Sequence, residues 1–254
     1  MIHAVCPITS LENVGSLIYV LGFRSSNLSA NIAPGQFVNI KVDDSGSPLL
    51  RRPFSVYRVI RDVVQIIFNV VGTGTKILSE KRPGEMLDVI GPLGRPFGVK
   101  SRYETALLVA GGIGVAPLPL ITDAIGGERN IVTFLGARTK NQVVRASLRN
   151  VLVATDDGSE GFHGTVVDLL RHELSGNRFP GPRIFACGPN AMLKSLNNLA
   201  AEYAIPCEVS LESAMACGIG ICQGCPVERV GQGKKYSLVC KEGPVFDSQT
   251  IRFS

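Results

Sequence analysis

The sequence predicts a multidomain α+β protein: an antiparallel β-barrel, then an α/β unit with a parallel sheet, then a cysteine-rich tail. Three observations lead there. The first hundred residues hold short β-rich runs at regular spacing with almost no helical period. From about residue 101, apolar runs alternate with helical stretches. From about Val209, cysteine and glycine crowd together. The expected divisions are 1–100, 101–208 and 209–254.

Residues 17–21, 36–42, 55–59 and 63–70 are rich in β-branched and aromatic side chains, with Gly, Pro, Asn, Asp and Ser clusters between them. One short helical stretch falls near 76–81. Residues 106–110 then form a continuous apolar run, as a strand buried on both faces should. Further strands are expected at 131–135, 151–154 and 184–187, and helices near 165–172 and 190–203. Such alternation implies helices on both faces of a parallel sheet.

Composition removes several classes. Hydrophobic residues make up 45% and charged residues 19%, which excludes a disordered chain. The net charge of +5 comes from 26 basic and 21 acidic side chains without a run of one sign, so no nucleic-acid partner is expected. The longest uncharged run, 105–122, contains Gly111, Gly112, Gly114, Pro117 and Pro119. It reads as strand, tight loop and helix start, and no membrane contact is expected. The first basic residue is Arg24, so no charged segment precedes an apolar one. A cytoplasmic location with reduced cysteines is expected. The three histidines, His3, His163 and His172, are scattered and read as surface residues.

The strongest chemical signal is C-x4-C-x2-C-x14-C: Cys217, Cys222, Cys225 and Cys240. Three thiols on one loop and a distant fourth match the plant-type [2Fe–2S] arrangement. A structural zinc site would usually pair its ligands as two short knuckles. Glycines between the thiols let the loop bend sharply and turn N–H groups toward a cluster.

The nucleotide signals are weaker singly. Arg52-Pro53-Phe54-Ser55 opens a strand and can set a guanidinium and a hydroxyl on one anionic group, although Arg-Pro also fits a plain turn exit. Gly72-Thr73-Gly74-Thr75 precedes a helix, where backbone N–H groups bind phosphate, or forms an ordinary turn. Gly112-Ile113-Gly114-Val115-Ala116-Pro117 follows a buried strand and is a G-x-G-x-x-P variant of a dinucleotide turn. Cys187-Gly188-Pro189 ends a strand at the carboxyl edge of the sheet. Asp156 and Asp157 follow another strand; they could accept from a ribose hydroxyl and repel a 2′-phosphate, or simply form a solvated turn.

The order of these motifs resembles the ferredoxin-reductase superfamily. More closely, it is similar to the electron-transfer subunits of NAD-linked, type 1B dihydroorotate dehydrogenases. The resemblance runs from Pro34-Gly35-Gln36-Phe37 to Gly243-Pro244-Val245-Phe246, and includes Gly91-Pro92-Leu93-Gly94. Its most specific parts are Glu212-Ser213-Ala214-Met215-Ala216-Cys217 and the stretch from Val239-Cys240 onward. It implies that Arg52, Pro53, Phe54 and Ser55 contact FAD, that Ile67, Phe68 and Asn69 form a second FAD strand, and that Gly74 and Thr75 bind the pyrophosphate. It implies that Gly112 and Gly114 border the nicotinamide cleft with Cys187 facing it, and that Cys217, Cys222, Cys225 and Cys240 ligate the cluster. Asn69 stands where members often carry Arg, and Arg95 or Lys76 is the candidate replacement charge.

A nicotinamide gives a hydride, a cluster takes one electron, and a flavin does both, so the cofactors FAD, NAD and [2Fe–2S] form one chain of transfer. No base or pocket for an organic substrate is visible. The resemblance therefore implies a partner, an FMN-containing dihydroorotate dehydrogenase catalytic subunit in a heterotetramer with two of each, acting in pyrimidine biosynthesis. The alternative is a flavin/iron–sulfur subunit of another complex, such as a sulfide dehydrogenase, a bifurcating ferredoxin–NADP oxidoreductase or a hydrogenase.

Overall fold

The computed structural model describes residues 1–43, 46–145, 147–231 and 233–253. Six strands close a barrel: β1 (Ile2–Gly15), β2 (Ile18–Arg24), β3 (Phe37–Lys41), β4 (Arg52–Ile60), β5 (Val63–Asn69) and β6 (Met86–Leu93). Their order around it is β1-β2-β5-β4-β3-β6, and every pairing is antiparallel. Helix α1 (Ser26–Ser29) follows β2, and α2 (Thr73–Glu80) follows β5. Phe23, Val38, Ile40, Ile66 and Leu87 fill the interior.

Strands β1 and β6 go beyond the sequence expectation. β1 carries Pro7, which lowers its strand character. Pro7 lies where β1 changes partner: residues 2–7 pair with β6, and the pairing with β2 begins at Ile8, beside an irregularity in register. A missing N–H is tolerated at such a handover. In β6, Gly91-Pro92 interrupts the sequence signal, while burial alternates through Leu87, Val89, Gly91 and Leu93.

The second unit comprises β7 (Thr105–Gly111), α3 (Leu118–Ile125), β8 (Asn130–Ala137), β9 (Val151–Thr155), β10 (Phe162–His163), α4 (Val166–Gly176), β11 (Pro182–Cys187), α5 (Asn190–Glu202) and β12 (Cys207–Ser210). These strands are parallel in the order β10-β9-β8-β7-β11-β12. Strand β7 serves both faces: Leu107 and Val109 pack with α4 and α5, while Ala106 and Leu108 pack with α3. That double burial explains its unbroken apolar run.

The tail contains a hairpin of β13 (Pro226–Glu228) and β14 (Tyr236–Leu238), then α6 (Val239–Glu242) and β15 (Val245–Asp247). β15 pairs antiparallel with β12 and becomes the edge of the large sheet. Strand β12 spans residues 208 and 209, so the tail is woven into the α/β unit.

Ile18, Val20, Tyr57 and Ile67 of the barrel pack with Ala116 of the second unit. Arg58 of β4 also pairs with Asp123 of α3 at 3.0 Å. No helix among the described residues is long and apolar enough to cross a membrane.

Candidate functional site

Two cavities meet where barrel and sheet touch. The first holds about 450 Å³. Its barrel wall is Arg52, Pro53, Phe54 and Ser55 from β4, Ile67, Phe68 and Asn69 from β5, and Thr75 from α2. Ile113, Ala116, Cys187, Ser210, Glu212 and Met215 close the other side. The second holds about 530 Å³ and is lined by Gly111, Gly112, Gly136, Arg138, Asp156, Pro189 and Met192, among others. Asn69 and Ile113 line both. Mostly apolar clefts of this size with a few polar groups suit small cofactors.

The first cavity fits a flavin nucleotide. Arg52 donates to the Leu50 carbonyl at 2.6 Å and to the Arg51 carbonyl at 3.3 Å, and no carboxylate pairs with it among the described residues. Its charge is thus uncompensated at the cavity wall, as an anionic ligand requires. Neighbouring Arg51 is instead bound to Asp88 at 2.7 Å. Gly74 lies against Arg52; a Cβ there would sit 3.2 Å from Nε, so the bare backbone lets the guanidinium approach α2. The Thr75 hydroxyl caps the start of α2, accepting from the N–H of Val71 at 2.9 Å and of Gly72 at 3.2 Å. Phe54 and Phe68, with ring centres 5.8 Å apart, supply apolar wall.

Sequence expectations and geometry differ at several points. Gly112 lines the second cavity with φ +55, a backbone angle that favours glycine. Gly114 is buried and lines neither cavity; a Cβ on it would lie 2.2 Å from the Cys187 carbonyl oxygen. Its role is close packing of the turn on β11. Cys187 lies on the flavin-cavity side of the shared boundary. Burial pushes its thiol up to about 12; the Glu212 carboxylate adds to that, and a hydrogen bond with Ser210 opposes it. Asp156 reaches the second cavity beside Arg138, whereas Asp157 accepts from the Ser159 N–H at 3.0 Å in its own turn. Neither Arg95 nor Lys76 lines the flavin cavity; Arg95 borders a separate cleft with Arg229, Lys234 and Glu242.

The four tail cysteines form two pairs. The backbone N–H groups of Ile219 and Cys222 each lie 3.4 Å from the Cys217 Sγ. Burial opposes ionisation of Cys217, but these N–H groups and the Cys222 thiol outweigh it and bring its pKa down to about 6. Cys225 and Cys240 form the second pair, with the Cys240 N–H 3.4 Å from the Cys225 Sγ. Burial, then the adjacent Cys225 thiol, push Cys240 up to about 12. Among the described residues, no three ligating side chains converge as a single ion would need. Two separate thiol pairs suit two bridged iron atoms better than one tetrahedral zinc. Gly218 and Gly220 take φ of +69 and +85, which turns the loop around that space.

Asn39 is a position that sequence reasoning missed. Asn39, on β3, is 1% exposed and donates from Nδ2 to the Cys217 carbonyl at 3.0 Å. Through backbone pairing, Asn39 also sits opposite Pro53. It links the flavin-cavity wall to the cluster loop. Its signal was a lone amide in the otherwise apolar run Phe37-Val38-Asn39-Ile40.

Flavin- and nicotinamide-sized cavities sharing a wall, with a loop of four thiols suited to an iron–sulfur cluster fastened to it, fit an NAD-linked flavin/iron–sulfur oxidoreductase subunit. Residues 212–252 match the family described as the iron–sulfur cluster binding domain of dihydroorotate dehydrogenase B. The electron transfer subunit of dihydroorotate dehydrogenase B (NAD(+)) from Desulforamulus reducens is 38% identical over 242 residues, covering 92% of each chain. That of Geobacillus sp. is 41% identical over 243 residues, again covering 92% of each. A solved NADH-dependent reduced ferredoxin–NADP oxidoreductase, described for flavin-based electron bifurcation, superposes with a TM-score of 0.86 at 31% identity, covering 98% of this chain and 90% of that one. The chain belongs to the family of electron-transfer subunits of NAD-dependent dihydroorotate dehydrogenase B. Membership implies a catalytic partner subunit, with FAD, NAD and an iron–sulfur cluster as cofactors.

Proposed function

We propose that this chain passes electrons from the FMN of a dihydroorotate-oxidising partner, by way of a [2Fe–2S] cluster and FAD, to NAD+ in pyrimidine biosynthesis. The observation that carries this reading is the shared boundary: Asn69 and Ile113 line both cavities, so flavin and nicotinamide rings would meet there. Bound flavin supplies the exchange between two-electron and one-electron transfer.

Arg52 holds the anionic part of FAD, with Ser55 and the Thr75 end of α2 beside it. Pro53, Phe54, Ile67 and Phe68 exclude water from the ring. Gly112 leaves open space for the nicotinamide nucleotide, and Asp156 faces its ribose. Cys217 with Cys222, and Cys225 with Cys240, hold the two irons. The divisions 1–100, 101–208 and 209–254 then correspond to flavin, nicotinamide and cluster functions. We place the chain in the cytoplasm, in a heterotetramer with two copies of each subunit.

Anaerobic NADH titration of the purified chain tests this. The flavin and broad iron–sulfur bands should bleach together, saturating near three electrons, two for the flavin and one for the cluster. A coloured protein indifferent to NADH and NADPH would refute the reading. Likeness to the bifurcating oxidoreductase favours a second reading, membership of another complex. Pull-down with mass spectrometry separates the two.

A further inference from the structure

One cleft takes no part in the function proposed above. It holds about 280 Å³ and, among the described residues, shares no wall with either nucleotide cavity. Arg95, Arg229, Val230, Lys234, Ser237 and Glu242 line it. Three parts of the fold meet there. Arg95 follows β6 at the end of the barrel, Arg229, Val230, Lys234 and Ser237 belong to the β13–β14 hairpin, and Glu242 closes α6. Main-chain bonds fasten these parts together: the Arg95 N–H donates to the Gly243 carbonyl at 2.5 Å, and the Arg229 N–H to the Lys235 carbonyl at 2.8 Å.

Charge in the cleft is unbalanced. Three cations face a single carboxylate. Glu242 is already engaged, because it pairs with Lys234 and accepts from the Leu238 N–H at 2.5 Å. The guanidinium groups of Arg95 and Arg229 have no ion pair or hydrogen bond among the described residues. Arg229 is half-buried, and an arginine drawn out of water without a counter-charge is uncommon. Arg252, on the same tail, is by contrast balanced by Glu228 at 3.8 Å.

An independent observation points to a ligand. Ser237 is 5% exposed, yet its hydroxyl has no hydrogen-bond partner among the described residues. Its oxygen is not sealed in the protein as those of Asn39 and Ser248 are; the open space it reaches is the cleft. Buried hydroxyls are normally satisfied. This one stands beside two unpaired guanidinium groups. A monocarboxylate would neutralise only one of them, whereas a phosphate dianion balances both and offers enough acceptor oxygens for all three side chains. The cleft is several times larger than a bare phosphate ion, so there is room for a small organic part.

We infer that this cleft binds a small phosphomonoester. Arg95 and Arg229 hold the phosphate, Ser237 donates a further hydrogen bond to it, and the organic part lies against Val230. The site is independent of the function proposed above, but its consequence rests on that reading. Cys240 lies two residues from Glu242 in α6. Reduction adds one negative charge to a cluster held there, and the unpaired cations favour that charge. A bound dianion cancels them, so occupancy lowers the reduction potential of the cluster and slows electron entry.

The test uses the full complex with its catalytic subunit and cofactors, with saturating NAD+ to fill the nucleotide cavities. Equilibrium dialysis compares ribose 5-phosphate and inorganic phosphate on the parent, Arg95→Gln, Arg229→Gln and Ser237→Ala. Ribose 5-phosphate should bind the parent at one site per chain, about tenfold more weakly in either arginine variant and about threefold more weakly in S237A. Absence of binding to the parent, or binding that the arginine variants leave unchanged, overturns the site. Inorganic phosphate that binds as tightly as the ester overturns the monoester assignment. In a redox titration followed by electron paramagnetic resonance, ribose 5-phosphate should move the cluster signal to lower potential in the parent and leave it in place in R229Q. An unmoved signal in a parent that binds the ester refutes the link to the cluster. A parent that binds the ester but shows no cluster signal refutes the functional reading and leaves the site standing.

Discussion

The nucleotide cavities and the cluster loop sit side by side but depend on different properties of the chain. The cavities are made by shape: backbone turns, aromatic walls and the guanidinium groups of Arg52 and Arg138, drawn from β4, β5, α2 and the ends of the parallel strands. The cluster loop is made by residue type: four thiols, two of them buried, with backbone N–H groups directed at sulfur. A cavity tolerates many side chains provided its outline survives, whereas a ligated metal tolerates very few. Substitutions should therefore act all-or-none in the loop and in graded fashion around the cavities.

The largest effect belongs to Cys225→Ser. Iron and sulfide should drop to background and the broad visible band vanish, with the flavin band retained, because Cys225 lines neither nucleotide cavity. Retention of a full cluster would break the comparison. Gly114→Ala comes next. Its new methyl would meet the Cys187 carbonyl at 2.2 Å, backbone against backbone, so about 3 kcal/mol of folding stability should be lost in denaturant titration. Arg52→Ala should weaken FAD by about 2 kcal/mol, roughly 30-fold, read from the fluorescence of released flavin, with iron content unchanged. Asn39→Ala removes the clamp on the Cys217 carbonyl. About 1 kcal/mol is expected, visible as faster bleaching of the cluster in air. Smallest at neutral pH is the contribution of Cys207, whose thiol burial pushes up to about 12 from an ordinary 9.0. A raised pKa of this kind gives stability that is complete below about pH 9 and is lost as pH rises toward 12. Cys207→Ala should flatten that alkaline decline in thermal melts between pH 9 and 12.

The same contrast governs what could be read from the sequence. Cys217, Cys222, Cys225 and Cys240 announce themselves because ligation demands thiols at set intervals. β7 was legible because burial on both faces leaves a continuous apolar run. β1 was not, since Pro7 and its polar neighbours conceal a strand that exchanges partners midway. β12 and β15 were hidden by brevity and by the glycine-rich stretch between them. Within the cavities, Arg52 and Gly112 were visible through local motifs. Glu212 and Ser210 come into place only when the tail folds back on the sheet. Gly114 looked like a ligand residue because close packing and cofactor approach call for the same missing side chain.

Strand β15 has a mechanical consequence. Having passed through the cluster loop, the chain returns to the sheet and hydrogen-bonds along β12, and Ile251 then bridges to Arg229 beside the β13–β14 hairpin. The thiols are thus strung between two anchored points, with no swinging arm between them. Tunnelling rates fall steeply with separation, so a span fixed at both ends sets one constant rate in place of a fluctuating one. Anything that peels β15 away, such as a displaced edge or a bulky fusion packed against it, should loosen the spacing between redox centres well before it unfolds either unit.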